Sequence, residues 1–133
     1  YEYSPHTSAS FLNWVVSSLK DNQEIKVVED QFNNPTWTRS MSDIIRLSIE
    51  NDLEGIIHWG DSEHISRFEF AKLIAKKFSL NESLIKPVLT SELNQPARRP
   101  LQSGLSTEKL VNMLDIIPPS IDDCLDEIIK SLQ

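Results

Sequence analysis

The hydrophobic pattern divides the chain into five helical segments and two short strands. Phe11, Leu12, Val15, Val16 and Leu19 follow the i, i+1, i+4, i+5, i+8 spacing of an amphipathic helix over 8–20, with Ser8 or Ser10 available as its cap. Ile25-Lys26-Val27-Val28 reads as a strand, and a second helix is expected from about Thr38 or Ser40 to Asn51. Gly55-Ile56-Ile57-His58-Trp59-Gly60 is a continuous apolar run between glycines, which predicts a strand covered on both faces. Ser66-Arg67-Phe68-Glu69 has capping-box spacing ahead of an apolar face made by Phe70, Ala71, Ile74, Ala75 and Phe78. After a turn at 81–84, residues 85–103 hold three prolines and no helical period, so an extended crossing segment is expected. A brief helix over 108–113 and a last one carrying Ile121, Leu125, Ile128 and Leu132 behind a cap at Ser120 complete the pattern. Strands separated in sequence by a helix predict an α/β fold that holds pieces of a larger sheet.

Composition narrows the function. The 133 residues, 39% hydrophobic and 25% charged, suit one soluble domain, and the net charge of −7 argues against a general binder of nucleic acid or anionic membrane. No apolar stretch approaches bilayer length and no secretory signal is evident, so a cytoplasmic protein is expected. Cys124 is the only cysteine; it excludes an internal disulfide, suits a reducing compartment, and reads as a buried structural thiol. The start Tyr-Glu-Tyr, without methionine, suggests a segment of a longer polypeptide.

Against this acidic background stands Pro96-Ala97-Arg98-Arg99-Pro100. Two prolines hold the arginines on an extended segment, where guanidinium forks suit the paired oxygens of phosphate or carboxylate. The plainer alternative is an exposed basic loop that pairs with Asp and Glu. Two polar sets are candidate ligand groups: Gln31, Asn33, Asn34, Thr36 and Trp37 in the loop 30–37, and Gln95, Arg98, Arg99, Gln102 and Ser103 in the second. Trp14, Trp37 and Trp59 read as packing residues, and His58 as a satisfied core histidine. No poised acid–base pair or nucleophile, no metal-ligand spacing and no glycine-rich phosphate loop is found; Asp122-Asp123 and Asp126-Glu127 read as structural charges on the last helix.

In order, Val27-Val28-Glu29-Asp30-Gln31-Phe32-Asn33-Asn34-Pro35-Thr36, Gly55-Ile56-Ile57-His58-Trp59, Ile65-Ser66-Arg67-Phe68-Glu69-Phe70-Ala71 and Ala97-Arg98-Arg99-Pro100 with Ser103, Leu105 and Lys109-Leu110 closely resemble the C-terminal half of dTDP-4-dehydrorhamnose reductases. These belong to the extended short-chain dehydrogenase/reductase superfamily, and similar sequence occurs in the regulatory β subunit of methionine adenosyltransferase. The resemblance implies that residues 1–133 form a single substrate-binding domain or fragment, mostly helical, with the Rossmann half absent. It implies NAD(P)H-dependent reduction of the 4-keto group of a nucleotide-linked deoxysugar, with NADPH or NADH bound by the full-length enzyme and not by this chain alone. The family's catalytic Tyr-x-x-x-Lys pair has no counterpart here, so no catalytic residue is assigned. By position, Arg99 would contact the phosphates, with Arg98 second; Gln95 and Ser103 are substrate-binding candidates from the polar set around them. Asn33, Asn34 and Thr36 would flank the sugar-nucleotide pocket, and Tyr1 stands where a tryptophan usually lies near the sugar. Ser4 stands where the family usually has glycine, and Asn34 replaces a small residue. The expected partners are a nucleotide-sugar and a Rossmann half or partner subunit. A second reading is a non-catalytic regulatory subunit, and the apolar 55–60 run, short of covering strands, predicts homodimerisation, strand exchange or dependence on the missing half.

Overall fold

The computed structural model describes residues 1–4, 10–93 and 95–132. In chain order the helices are α1 (Phe11–Lys20), α2 (Thr38–Glu50), α3 (Arg67–Lys77), α4 (Glu108–Leu114) and α5 (Ile121–Lys130). The strands are β1 (Ile25–Val28), β2 (Phe32–Asn33), β3 (Ile65–Ser66) and β4 (Ile85–Val88). Ser10 and Ser120 cap α1 and α5, accepting from the backbone N–H of Asn13 and Asp123 respectively. The expected Ser8 cap lies outside the described residues.

The full capping box predicted at α3 forms. Ser66 Oγ accepts from Glu69 N at 3.1 Å, and Glu69 Oε2 accepts from Ser66 N at 2.9 Å. Ser66→Ala is therefore expected to lower unfolding free energy by about 1 kcal/mol in a urea melt. A loss below a few tenths would show that the box contributes nothing here.

β1 and β4 pair in parallel, with Ile25 opposite Ile85 and Val28 opposite Val88. The segment expected only to cross the molecule thus opens with a strand. Pro87 is compatible with it because both strands of a two-stranded sheet are edges, so its missing donor leaves no inner ladder broken. The main core forms where α1, α3 and α5 close on this sheet: Leu12, Val15, Val16, Ile25, Val27, Ile74, Ile85, Leu125 and Ile128 are all buried. Ala71 and Ala75 on α3 let α1 approach closely. Cys124 is buried, and its thiol donates to Asp61 Oδ2 at 4.0 Å. Lys77 reaches Asp122 and Asp126, each at 2.7 Å, so those two carboxylates join α5 to α3.

Two expectations fail at residues 55–60. Among the described residues the run belongs to no ladder: the strands form the pairs β1–β4 and β2–β3, and neither offers it a neighbour. Ile56 is consequently 80% exposed, while Trp59 turns inward, with Ile57 half-buried beside it, into a small second core with Ile44 and Leu110. His58 is exposed and not the core histidine its apolar setting suggested. Apolar composition identified residues suited to burial but could not supply a covering strand.

α2 has no side-chain cap of its own. Asp61, from a distant turn, takes that role: Oδ2 accepts from Trp37 N at 2.7 Å and Oδ1 from Ser40 Oγ at 2.6 Å. The helix N-terminus favours a carboxylate there. Asp61 is only 1% exposed, and burial pushes its pKa up against the downward pull of these hydrogen bonds.

Candidate functional site

Phe32 brings the two polar loops together. Its N–H donates to Leu101 O at 2.7 Å, and its carbonyl accepts from Ser103 N at 3.0 Å and from Ser103 Oγ at 3.2 Å. The stretch just after Arg99-Pro100 is therefore laid alongside β2 as an added parallel bridge, Phe32 to Gln102. Asn34 fastens it further on: Oδ1 accepts from Leu105 N at 2.9 Å while Nδ2 donates to Asp61 O at 3.1 Å. Glycines make room for this bracket. A Cβ on Gly60 would lie 2.7 Å from Asn34 Cβ, and one on Gly104 would lie 2.4 Å from His64 Cδ2 and 3.0 Å from Asn34 Oδ1.

Beside this junction runs a groove of about 300 Å³. Phe11 and Trp14 from the first turns of α1 give it aromatic side chains, and β1 lines it at Val27 and Val28. Lys26, Arg67 and Arg99 bring three cations, Gln31 and Gln95 two amides, and Leu93 a further apolar side chain. The Arg67 guanidinium lies 5.7 Å from the centre of the Phe11 ring, within cation–π range. None of Lys26, Arg67, Arg98 or Arg99 forms a salt bridge with a described carboxylate, so their charge is open to a ligand. An apolar aromatic surface with cations and amides beside it suits a flat ring joined to an anionic group.

Of the residues picked from sequence, Gln31, Gln95 and Arg99 line this groove. Arg98 is exposed but does not line it. Ser103 is tied to the Phe32 carbonyl, and Asn33 lies in β2 opposite Ile65. Asn34 has both ends of its amide engaged within the protein, as above, and Thr36 Oγ1 donates to Asn34 O at 3.0 Å. Tyr1 faces inward: its ring meets Phe70 edge-on at 4.9 Å, and burial raises the pKa of its hydroxyl far above the ordinary phenol value. Phe11, Trp14, Lys26 and Arg67 were not singled out as ligand groups. Trp14 carried the one available signal, being an aromatic residue off the apolar stripe of α1, and it is 39% exposed.

The three glycines of this chain are Gly55, Gly60 and Gly104; the space beside the last two is filled by Asn34 and His64, so neither forms a phosphate cradle. Among the described residues no group of His, Cys, Asp and Glu could hold a metal ion, and no helix is long and apolar enough to cross a membrane.

This mostly helical α/β arrangement is the substrate-binding portion of the extended short-chain dehydrogenase/reductase fold. The dTDP-4-dehydrorhamnose reductase of Bacillus anthracis, solved in complex with NADP, matches it with a TM-score of 0.88 at 27% identity, over 98% of this chain and 45% of that one. The Clostridium acetobutylicum enzyme of the same name gives 0.85 at 27% identity, over 100% and 46%. The family described as RmlD substrate binding domain matches residues 3–133, and the chain belongs to that family. A curated relative, the dTDP-4-dehydrorhamnose reductase of Burkholderia thailandensis, is 31% identical over 126 residues, which covers 83% of this chain and 42% of the relative. The chain thus spans less than half the length of the proteins that it matches.

Proposed function

We propose that residues 1–133 form the substrate-binding part of an NAD(P)H-dependent reductase acting on the 4-keto group of a nucleotide-linked deoxysugar in the cytoplasm. The observation that carries this reading is the groove, where Arg99, Arg67 and Lys26 meet Phe11 and Trp14 in a protein of net charge −7. Arg99 grips the diphosphate, Gln95 assists from the same segment, and Arg98 adds positive potential outside the groove. Asn34 and Ser103 fix the course of the arginine segment, and Asn33, Thr36 and Tyr1 hold the loop that borders it. The cofactor and the proton-transfer groups come from a Rossmann half outside this sequence. The role of this chain is to bind and orient the substrate. The relatives named above are reductases, which supports this reading over the regulatory-subunit alternative.

The test is calorimetric titration of the chain with dTDP. Arg99→Ala is expected to weaken binding by about 10- to 100-fold, the equivalent of one lost charge-assisted hydrogen-bonding group at about 1.5–3 kcal/mol. Unchanged affinity in the variant would remove Arg99 from the phosphate site, and no binding of dTDP by the folded chain would overturn the reading.

A further inference from the structure

Gln31 is 8% exposed and lines the groove. Its Nε2 donates to Thr90 Oγ1 at 3.0 Å. The next partner fixes the direction of that bond. Thr90 Oγ1 lies 2.6 Å from Asp30 Oδ1, and Thr90 N donates to the same carboxylate at 3.0 and 3.1 Å. An ionised carboxylate only accepts, so the single hydroxyl proton of Thr90 goes to Asp30 and its oxygen accepts from glutamine. Turning the Gln31 amide over would set Oε1 against the lone pairs of Thr90. The relay Asp30–Thr90–Gln31 therefore holds Nε2 toward Thr90. It leaves Oε1 as an acceptor with no protein donor among the described residues, on a side chain that lines the groove.

We propose that Gln31 is the base-discriminating residue of the site. Its pinned Oε1 accepts from the N3–H of uracil or thymine and disfavours cytosine, whose N3 is itself an acceptor. This rests on the nucleotide-sugar reading above. The residues around it favour a base edge as the donor: Phe11 and Trp14 offer aromatic faces to a flat ring, and Arg67 and Arg99 lie in the same groove to take the phosphates. A fixed polar group discriminates strongly because a mismatched ligand leaves it unpaired or opposed.

The experiment titrates the 133-residue chain with UDP, dTDP, CDP and inorganic pyrophosphate, in wild type, Gln31→Ala, Thr90→Ala and Thr90→Ser, each checked for folding by thermal melt. Wild type is expected to bind UDP and dTDP at least tenfold more tightly than CDP. Gln31→Ala should bring the three close to parity, chiefly by weakening UDP and dTDP. Thr90→Ala frees the amide to turn and should lower the same ratio without altering pyrophosphate affinity, and Thr90→Ser should restore it. Equal affinity for UDP and CDP in wild type, or an unchanged ratio in Gln31→Ala, would overturn the proposal. So would a Gln31→Ala variant that loses UDP and CDP alike, because Oε1 would then be taking a sugar hydroxyl. If pyrophosphate and every nucleotide bind equally, this inference alone falls. If none binds, the nucleotide-sugar reading falls with it.

Discussion

Leu12→Ala is expected to be the most damaging single change, lowering unfolding free energy by about 2–5 kcal/mol. Leu12 is completely buried on α1, facing the same core as Ile74 of α3 and Leu125 of α5. Truncation removes apolar contact and leaves a cavity that three packed helices and a sheet cannot readily collapse into. For a domain of this size the thermal midpoint should fall by roughly 10 °C. A scanning melt gives the answer, and a drop of only a degree or two would mean that the site repacks. The change also reaches the groove: Phe11 precedes Leu12 and Trp14 lies half a turn on, so loosening α1 moves the aromatic side of the site. Nucleotide affinity should fall more in Leu12→Ala than in an equally destabilising change on α5, such as Ile128→Ala, because α5 contributes nothing to the groove lining.

Asp61→Ala is expected to cost about 1–3 kcal/mol, because it strips the Trp37 N–H of its acceptor at the start of α2 and leaves the Ser40 hydroxyl only the Trp37 carbonyl, at 3.0 Å. The pH dependence is the diagnostic feature. Burial holds the folded-state pKa of Asp61 above its unfolded value of about 3.9. Its contribution is then complete below that pH and shrinks as pH rises through the folded value. The deficit of Asp61→Ala relative to wild type should accordingly be larger near pH 4 than at pH 7 in urea titrations. A deficit that grows toward neutrality would mean instead that the hydrogen bonds depress the pKa.

α1, α3 and α5 were legible because each carried two agreeing signals, an apolar face and a polar start; Ser10, Ser66 and Ser120 all cap where they were read. β4 was not legible, since Ile85-Lys86-Pro87-Val88 is short, contains a proline, and finds its partner far away in sequence. The strand read at 55–60 failed for the opposite reason, having apolar composition without a partner among the described strands. At the site, Arg99 and Gln95 stood out because prolines isolate their segment in an acidic chain. Phe11, Lys26 and Arg67 come from three different elements that meet only in the folded molecule, so no local spacing links them. Asp61 was hidden between Gly60 and Ser62, a setting that reads as an ordinary turn.

The parallel pairing of β1 with β4 also governs when the chain can fold during synthesis. Ile25 meets Ile85, so about sixty residues must leave the ribosome after β1 before its partner exists. At typical elongation rates that is a wait of roughly 3–12 seconds, during which a Val- and Ile-rich edge stays open. Ile121 and Leu125, which close the core, emerge later still. Nascent chains that stop short of α5 are thus the form of this protein most exposed to aggregation and most in need of a chaperone.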